Sequence, residues 1–162
     1  GLGLGAAGSA RKRERVLVAT LLNHPEILGD VLETAASLRF GAPELDRLCS
    51  RIIEIAGKGE RLDRDTLRGH LNQHGDTALA DSLTRSDWGL AEKFVRPEAS
   101  PEEALTGWRG VLAMHQRVDL NVEHDRAVGR MAEGAEAAFE QMKALAKERK
   151  KLEEMDTDTG AG

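Results

Sequence analysis

The sequence has very few aromatic residues. Phenylalanine and tryptophan together make up 3% of its 162 residues, and tyrosine is absent. No stretch alternates β-branched or aromatic residues with polar ones, so the pattern typical of half-buried strands is missing. The hydrophobic 40% is mostly alanine, leucine and valine, and alanine and leucine are strong helix formers. The sequence therefore predicts an all-α fold of about one ordinary domain in size.

Cysteine is nearly absent as well. Cys49 is the single cysteine, which excludes an internal disulfide framework and a zinc site built from several cysteines. It lies among Leu45, Leu48 and Ile52, which recur at helical spacing. Because a free cysteine usually behaves as a small buried hydrophobe, we interpret Cys49 as a core residue.

Long apolar runs and an excess of basic charge are also missing. No run approaches the roughly 18 to 20 residues that span a bilayer, and no signal-peptide cleavage site is visible. The sequence therefore predicts a cytoplasmic protein with no membrane partner. A net charge of −5 argues against nucleic-acid binding as the main role. The basic clusters at 11–15 and 147–151 are interpreted as solvated helix ends.

Apolar residues at helical spacing predict five helices in residues 11–100. His24-Pro25 should separate the first two, because a residue before proline disfavours helix. Asp63 should cap the fourth helix, and Gly75 should follow its end. Residues 86–100 are expected to be irregular or one short helix, with Trp88 and Phe94 as aromatic anchors. The predicted helices are 11–23, 25–38, 43–56, 65–73 and 76–84.

Ser100-Pro101-Glu102-Glu103 is a strong helix start, with a capping residue, proline in the first turn and two acids. This helix is predicted to reach about Met131, to turn at Gly134 and to return as a final helix over 135–154. The predicted architecture is a multi-helix bundle (11–100) joined by a long helix to a C-terminal helical hairpin (101–154). Residues 1–10 are expected to be a flexible linker or a cloning remnant, and residues 155–162 a disordered tail.

Few residues suggest catalysis. His70 and His74 lie four residues apart on one helix, a spacing that zinc sites use, but Leu71 occupies the place of the glutamate in the H-E-x-x-H motif. A metal-dependent enzyme built on these histidines is therefore only a rival hypothesis. No catalytic residue, metal ligand or cofactor is predicted for this chain.

The block Val16–Leu28 (VLVATLLNHPEIL), the Pro101-Glu102-Glu103 start, Trp108 and a long helix leading into a terminal hairpin resemble the C-terminal helicase-binding domain of bacterial DNA primase (DnaG). The resemblance covers about residues 11–154 and is sharpest at Leu21–Leu28 (LLNHPEIL) and in the layout of the final two helices. It implies a non-catalytic interaction domain that recruits primase, a DNA-dependent RNA polymerase, to the replication fork. The implied partner is the hexameric replicative helicase (DnaB-type), with single-strand-binding protein as a further candidate.

In that family the C-terminal hairpin contacts the helicase. Here the final helix has apolar residues on one side and basic residues beside them, which favours a helix that docks in a groove of its partner. Two alternatives remain open: the N-terminal domain of the replicative helicase itself, and a self-associating helical scaffold. The residues expected to contact the helicase are Phe139, Met142, Lys143, Leu145, Ala146, Arg149, Lys150 and Leu152.

Overall fold

The computed structural model describes residues 2–85 and 92–160, with side chains for residues 8–85 and 92–156. In these residues the fold is all-α, as predicted, and no strand is present. Short 3₁₀ turns at Pro25–Ile27 and Lys93–Val95 accompany six helices. The helices are α1 (Leu2–Asn23), α2 (Leu28–Ser37), α3 (Pro43–Ala56), α4 (Arg64–Gln73), α5 (Thr77–Thr84) and α6 (Pro101–Gly160).

The chain divides into two compact units, Gly1–Gln116 and Arg117–Gly162. The predicted boundary at residue 100 is therefore corrected, because α6 up to Gln116 belongs to the first unit. The reason is burial: Ala104, Trp108 and Leu112 lie in the core of the first unit. Trp88, predicted as an anchor, lies outside the described residues.

Helix α1 is the centre of the first unit. Every residue from Val16 to Pro25 is buried, and a helix that is apolar on all sides is stable only when other elements surround it. α3, α4, α5 and the Lys93–Val95 turn all pack against α1, and α2 packs on α3. Trp108 of α6 is fully buried, and its indole Nε1 donates a hydrogen bond to the Leu17 carbonyl at 3.1 Å.

Buried polar groups at the end of α1 attach the segment before α6. The Asn23 side-chain amide donates to the Val95 carbonyl at 2.9 Å, and the His24 ring nitrogen Nε2 donates to the Arg96 carbonyl at 2.8 Å. Earlier in α1, the buried Glu14 carboxylate accepts a hydrogen bond from the Gly41 backbone amide at 2.7 Å. These long-range bonds satisfy polar groups that would be costly to bury alone.

Most helix ends lie where the capping and turn residues of the sequence predicted them. α1 ends at Asn23, before His24-Pro25, and the Asp63 carboxylate accepts from the Thr66 amide at 2.7 Å, capping α4. That hydrogen bond lowers the pKa of Asp63. Gly75 has a φ of 76°, the left-handed conformation expected just after a helix. Cys49 is buried, as predicted.

The predicted hairpin is wrong. α6 is one continuous helix of 60 residues and passes through Gly134 without a turn. No proline follows Pro101, and a glycine inside a helix costs only about 1 kcal/mol relative to alanine. A turn would instead leave unsatisfied backbone groups at two new helix ends. The long helix therefore does not end near Met131.

Both predicted flexible ends are corrected too. α1 begins at Leu2, inside the expected linker, and α6 continues to Gly160, inside the expected disordered tail. Once a helix is nucleated, each added residue fixes one conformation and gains one hydrogen bond. Neither end contains a proline that would prevent this extension.

Two leucines of α6 provide a matched test of the core. Leu112 is 7% exposed and Leu120 is 65% exposed. We expect Leu112→Ala to lower the free energy of unfolding by about 2–5 kcal/mol, the usual cost of a cavity left by leucine. Leu120→Ala should change it by less than about 0.5 kcal/mol. Urea denaturation followed by circular dichroism measures both, and equal losses would contradict the burial of Leu112.

Gly134 provides a test of the continuous helix. A Cβ atom added at Gly134 meets nothing within 4 Å, and the same holds for Gly129 in the same helix. We therefore expect Gly134→Ala and Gly129→Ala each to stabilise the local helix by up to about 1 kcal/mol. Amide hydrogen exchange around each position measures this. Faster exchange in Gly134→Ala alone would indicate a left-handed glycine, as a turn requires.

Candidate interaction surface

The second unit exposes many large apolar side chains. From Asp119 to Asp156, every side chain except that of Ala127 is exposed. Single exposed leucines are common on protein surfaces, whereas a contiguous set marks an interaction surface. The exposed large apolar residues here are Leu120, Val122, Val128, Met131, Phe139, Met142, Leu145, Leu152 and Met155.

This part of α6 owes its helical conformation to local sequence. Alanine, glutamate and lysine dominate residues 131–154, and all three are good helix formers. Lys143 Nζ lies 3.8 Å from Glu140 Oε1, an i,i+3 pair on exposed side chains. Such pairs contribute about 0.2–0.5 kcal/mol each. Local sequence therefore favours helix in a part of the chain whose side chains are exposed.

The eight residues predicted from sequence share one half of the helix. At 3.6 residues per turn, their positions span about 180° of the helix circumference. Leu152 and Leu145 lie at one edge, and Lys143 lies at the other. Phe139, Met142, Leu145 and Leu152 are between 57 and 69% exposed. The structure thus brings the predicted residues together, although it places them on a continuous helix and not in a hairpin.

The aromatic and basic parts of this surface are in contact. Lys143 Nζ lies 5.0 Å from the centre of the Phe139 ring, within range of a cation–π interaction. At an exposed site this interaction is worth about 0.5–1 kcal/mol. It holds the ammonium group above the ring, so an approaching partner would meet the apolar and basic groups side by side.

Four apolar positions that continue the surface toward the N-terminus were missed. Beginning at Val128, residues recur at alternating spacings of three and four, which is the heptad pattern of a helix that packs against another helix. The signal was present in the sequence, but the turn assumed at Gly134 divided it in two. We call the whole set the heptad stripe: Val128, Met131, Ala135, Ala138, Met142, Leu145, Arg149 and Leu152.

Charge is distributed unevenly along the same helix. Residues 131–140 contain three glutamates and no lysine or arginine, whereas residues 143–151 contain five basic residues and one glutamate. The first block is therefore acidic and the second is basic. A partner helix with the opposite order of charges would match both blocks.

The histidine pair is not part of a metal site in the described residues. His70 Nε2 lies 3.5 Å from Glu60 Oε2, and no group of three His, Cys, Asp or Glu residues lies close enough to hold a metal ion in the described part of the chain. Among the same residues, no helix is both long and apolar enough to cross a membrane.

Comparison of the chain with protein-family models, with curated proteins and with solved structures found no match.

Proposed function

We propose that this chain is a non-catalytic, cytoplasmic interaction domain of a bacterial DNA primase, which binds the hexameric replicative helicase and recruits primase to the replication fork. The observation that carries the proposal is the exposed apolar and basic half of α6 over residues 139–152. It is combined with the resemblance of Val16–Leu28 and the start of α6 to the helicase-binding domain.

The exposed half-helix has the chemistry of a ligand for an apolar groove. Phe139, Met142 and Leu145 are exposed and are spaced three residues apart, so they lie within about 120° of one side of the helix. An amphipathic helix presents such an apolar side to a groove. Aromatic residues and methionine are enriched at the centres of interfaces, whereas lysine favours the rim. Lys143 and Lys150 lie along the border of the apolar residues, which suits an acidic rim on the partner.

The two units have separate parts in this proposal. The first unit has its own buried core around α1, and none of residues 139–152 belongs to that core. The second unit supplies the exposed contact residues. Recruitment of this kind raises the effective concentration of primase at the fork without any new chemistry, which fits a domain for which no catalytic residue is proposed.

Leu145→Asp provides the central test. This substitution places a charge among the apolar anchors, and we expect it to weaken binding to the cognate helicase hexamer at least about tenfold, the loss that follows from about 1.4 kcal/mol. Phe139→Ala should weaken binding in the same direction. Isothermal titration calorimetry with the full 162-residue chain measures both affinities.

Ala144→Asp is the matched control. Ala144 is exposed and adjacent to Leu145 in the same helix, but at 100° per residue it lies about 170° from the centre of the half that carries residues 139–152. The control should bind like the wild type, and circular dichroism should show equal helix content in both variants. Unchanged affinity of Leu145→Asp would remove this surface from the interface, and no binding by the wild-type chain would refute the proposed function.

A further inference from the structure

The heptad stripe is more regular than a groove ligand needs. Three or four apolar anchors are sufficient for a helix to dock in a groove, but this stripe continues from Val128 to Leu152 without a break in register. That length corresponds to about three and a half heptads, close to the minimum for a coiled coil. The stripe is exposed throughout, so the described chain leaves it available to a second helix.

We propose that a second copy of this chain covers the heptad stripe, forming an antiparallel two-helix coiled coil. The inference does not depend on the proposed function, because it uses only the spacing, size and charge of residues in the second unit.

The sizes of the stripe residues favour an antiparallel pair. If the two helices run antiparallel and a two-fold axis passes through residue 140, residue 140 of one copy lies beside residue 140 of the other. Every residue of the heptad stripe then lies opposite another stripe residue of the second copy. Ala138 then faces Met142, and Ala135 faces Leu145. Large residues opposite small ones fill the space between two helices and interdigitate.

A parallel pair would pack the same residues poorly. Each residue would face its own copy, so Ala135 and Ala138 would leave voids and Arg149 would meet a second Arg149. A void costs stability, and two like charges at the centre of an interface repel each other. In the antiparallel pair Arg149 faces Met131 instead, whose flexible side chain adapts to irregular neighbours.

The distribution of charge along the helix also favours the antiparallel orientation. In the antiparallel pair, the acidic block 131–140 of one copy lies level with residues 140–149 of the other, which include Lys143, Lys147 and Arg149. In a parallel pair, acidic would lie level with acidic and basic with basic. Most of these charges flank the apolar stripe, so they select orientation and partner more than they add affinity.

The stripe predicts how the chain behaves alone in solution. Sedimentation equilibrium of the full chain should show reversible association to twice the monomer mass of 17.6 kDa. Ala138→Glu places a charge opposite Met142 and should raise the dimer dissociation constant at least about tenfold. Ala137→Glu is the matched control, because it makes the same change on the outer side of the helix and should leave the constant unchanged.

The direction of the pair is tested by cross-linking. In the antiparallel pair, a cysteine introduced by Gln141→Cys lies close to the same cysteine of the second copy. Two cysteines introduced by Leu152→Cys are separated by about 36 Å along the helix axis. A short bismaleimide should therefore link Gln141→Cys dimers and leave Leu152→Cys unlinked. Native Cys49 should not react, because burial raises the pKa of its thiol to about 12 and the thiolate is the reactive form.

Each result has a defined meaning. A monomer at every concentration overturns the inference, and so does equal association of Ala138→Glu and the wild type. Efficient cross-linking of Leu152→Cys would indicate a parallel pair and overturn the orientation. Failure of the proposed function is separate, because the chain could dimerise without binding helicase, and calorimetry with helicase measures that independently.

Discussion

The burial of α1 on all sides from Val16 to its end at Asn23 is the constraint on which the first unit depends. A helix with a single apolar face can bury it against one neighbouring element. The residues from Val16 to Leu22 are buried on every side of the helix, so several elements must surround them. The one hydroxyl in this stretch, on Thr20, is satisfied locally by a hydrogen bond to the Val16 carbonyl at 2.6 Å. Trp108 completes the enclosure through its bond to Leu17.

The same constraint explains why the block Val16–Leu28 is so distinctive in the sequence. Asn23 and His24 are buried polar residues whose side chains bond to the backbone of Val95 and Arg96, and Pro25 begins the 3₁₀ turn that leads to α2. The block therefore determines where α1 ends and which segment, Val95-Arg96, is bonded to that end. In the proposed function this block stabilises the first unit, whereas the proposed contact residues lie more than a hundred residues later in the chain.

Local chemistry determined what could be predicted from the sequence. The N-cap at Asp63, the left-handed Gly75 and the start of α6 at Ser100-Pro101 depend on residues within one helical turn, and all three are present in the structure. The bond from the Gly41 amide to Glu14 joins residues 27 positions apart, so no local pattern could indicate it. Gly134 was misread for a different reason: glycine permits a turn but does not require one, and here the flanking alanines and glutamates maintain the helix.

The eight residues predicted to contact the helicase share one exposed half of α6, because helical periodicity places them together whether or not a hairpin forms. That they contact a partner stays a prediction. The two proposed partners, the helicase and a second copy of the chain, compete for that surface. The heptad stripe and the proposed helicase contacts share Met142, Leu145, Arg149 and Leu152, so one partner excludes the other. Anything that binds only the monomer shifts the dimer equilibrium by mass action. Self-association would therefore lower the apparent affinity for helicase as the chain becomes more concentrated, and Ala138→Glu would remove that dependence while leaving the shared residues intact.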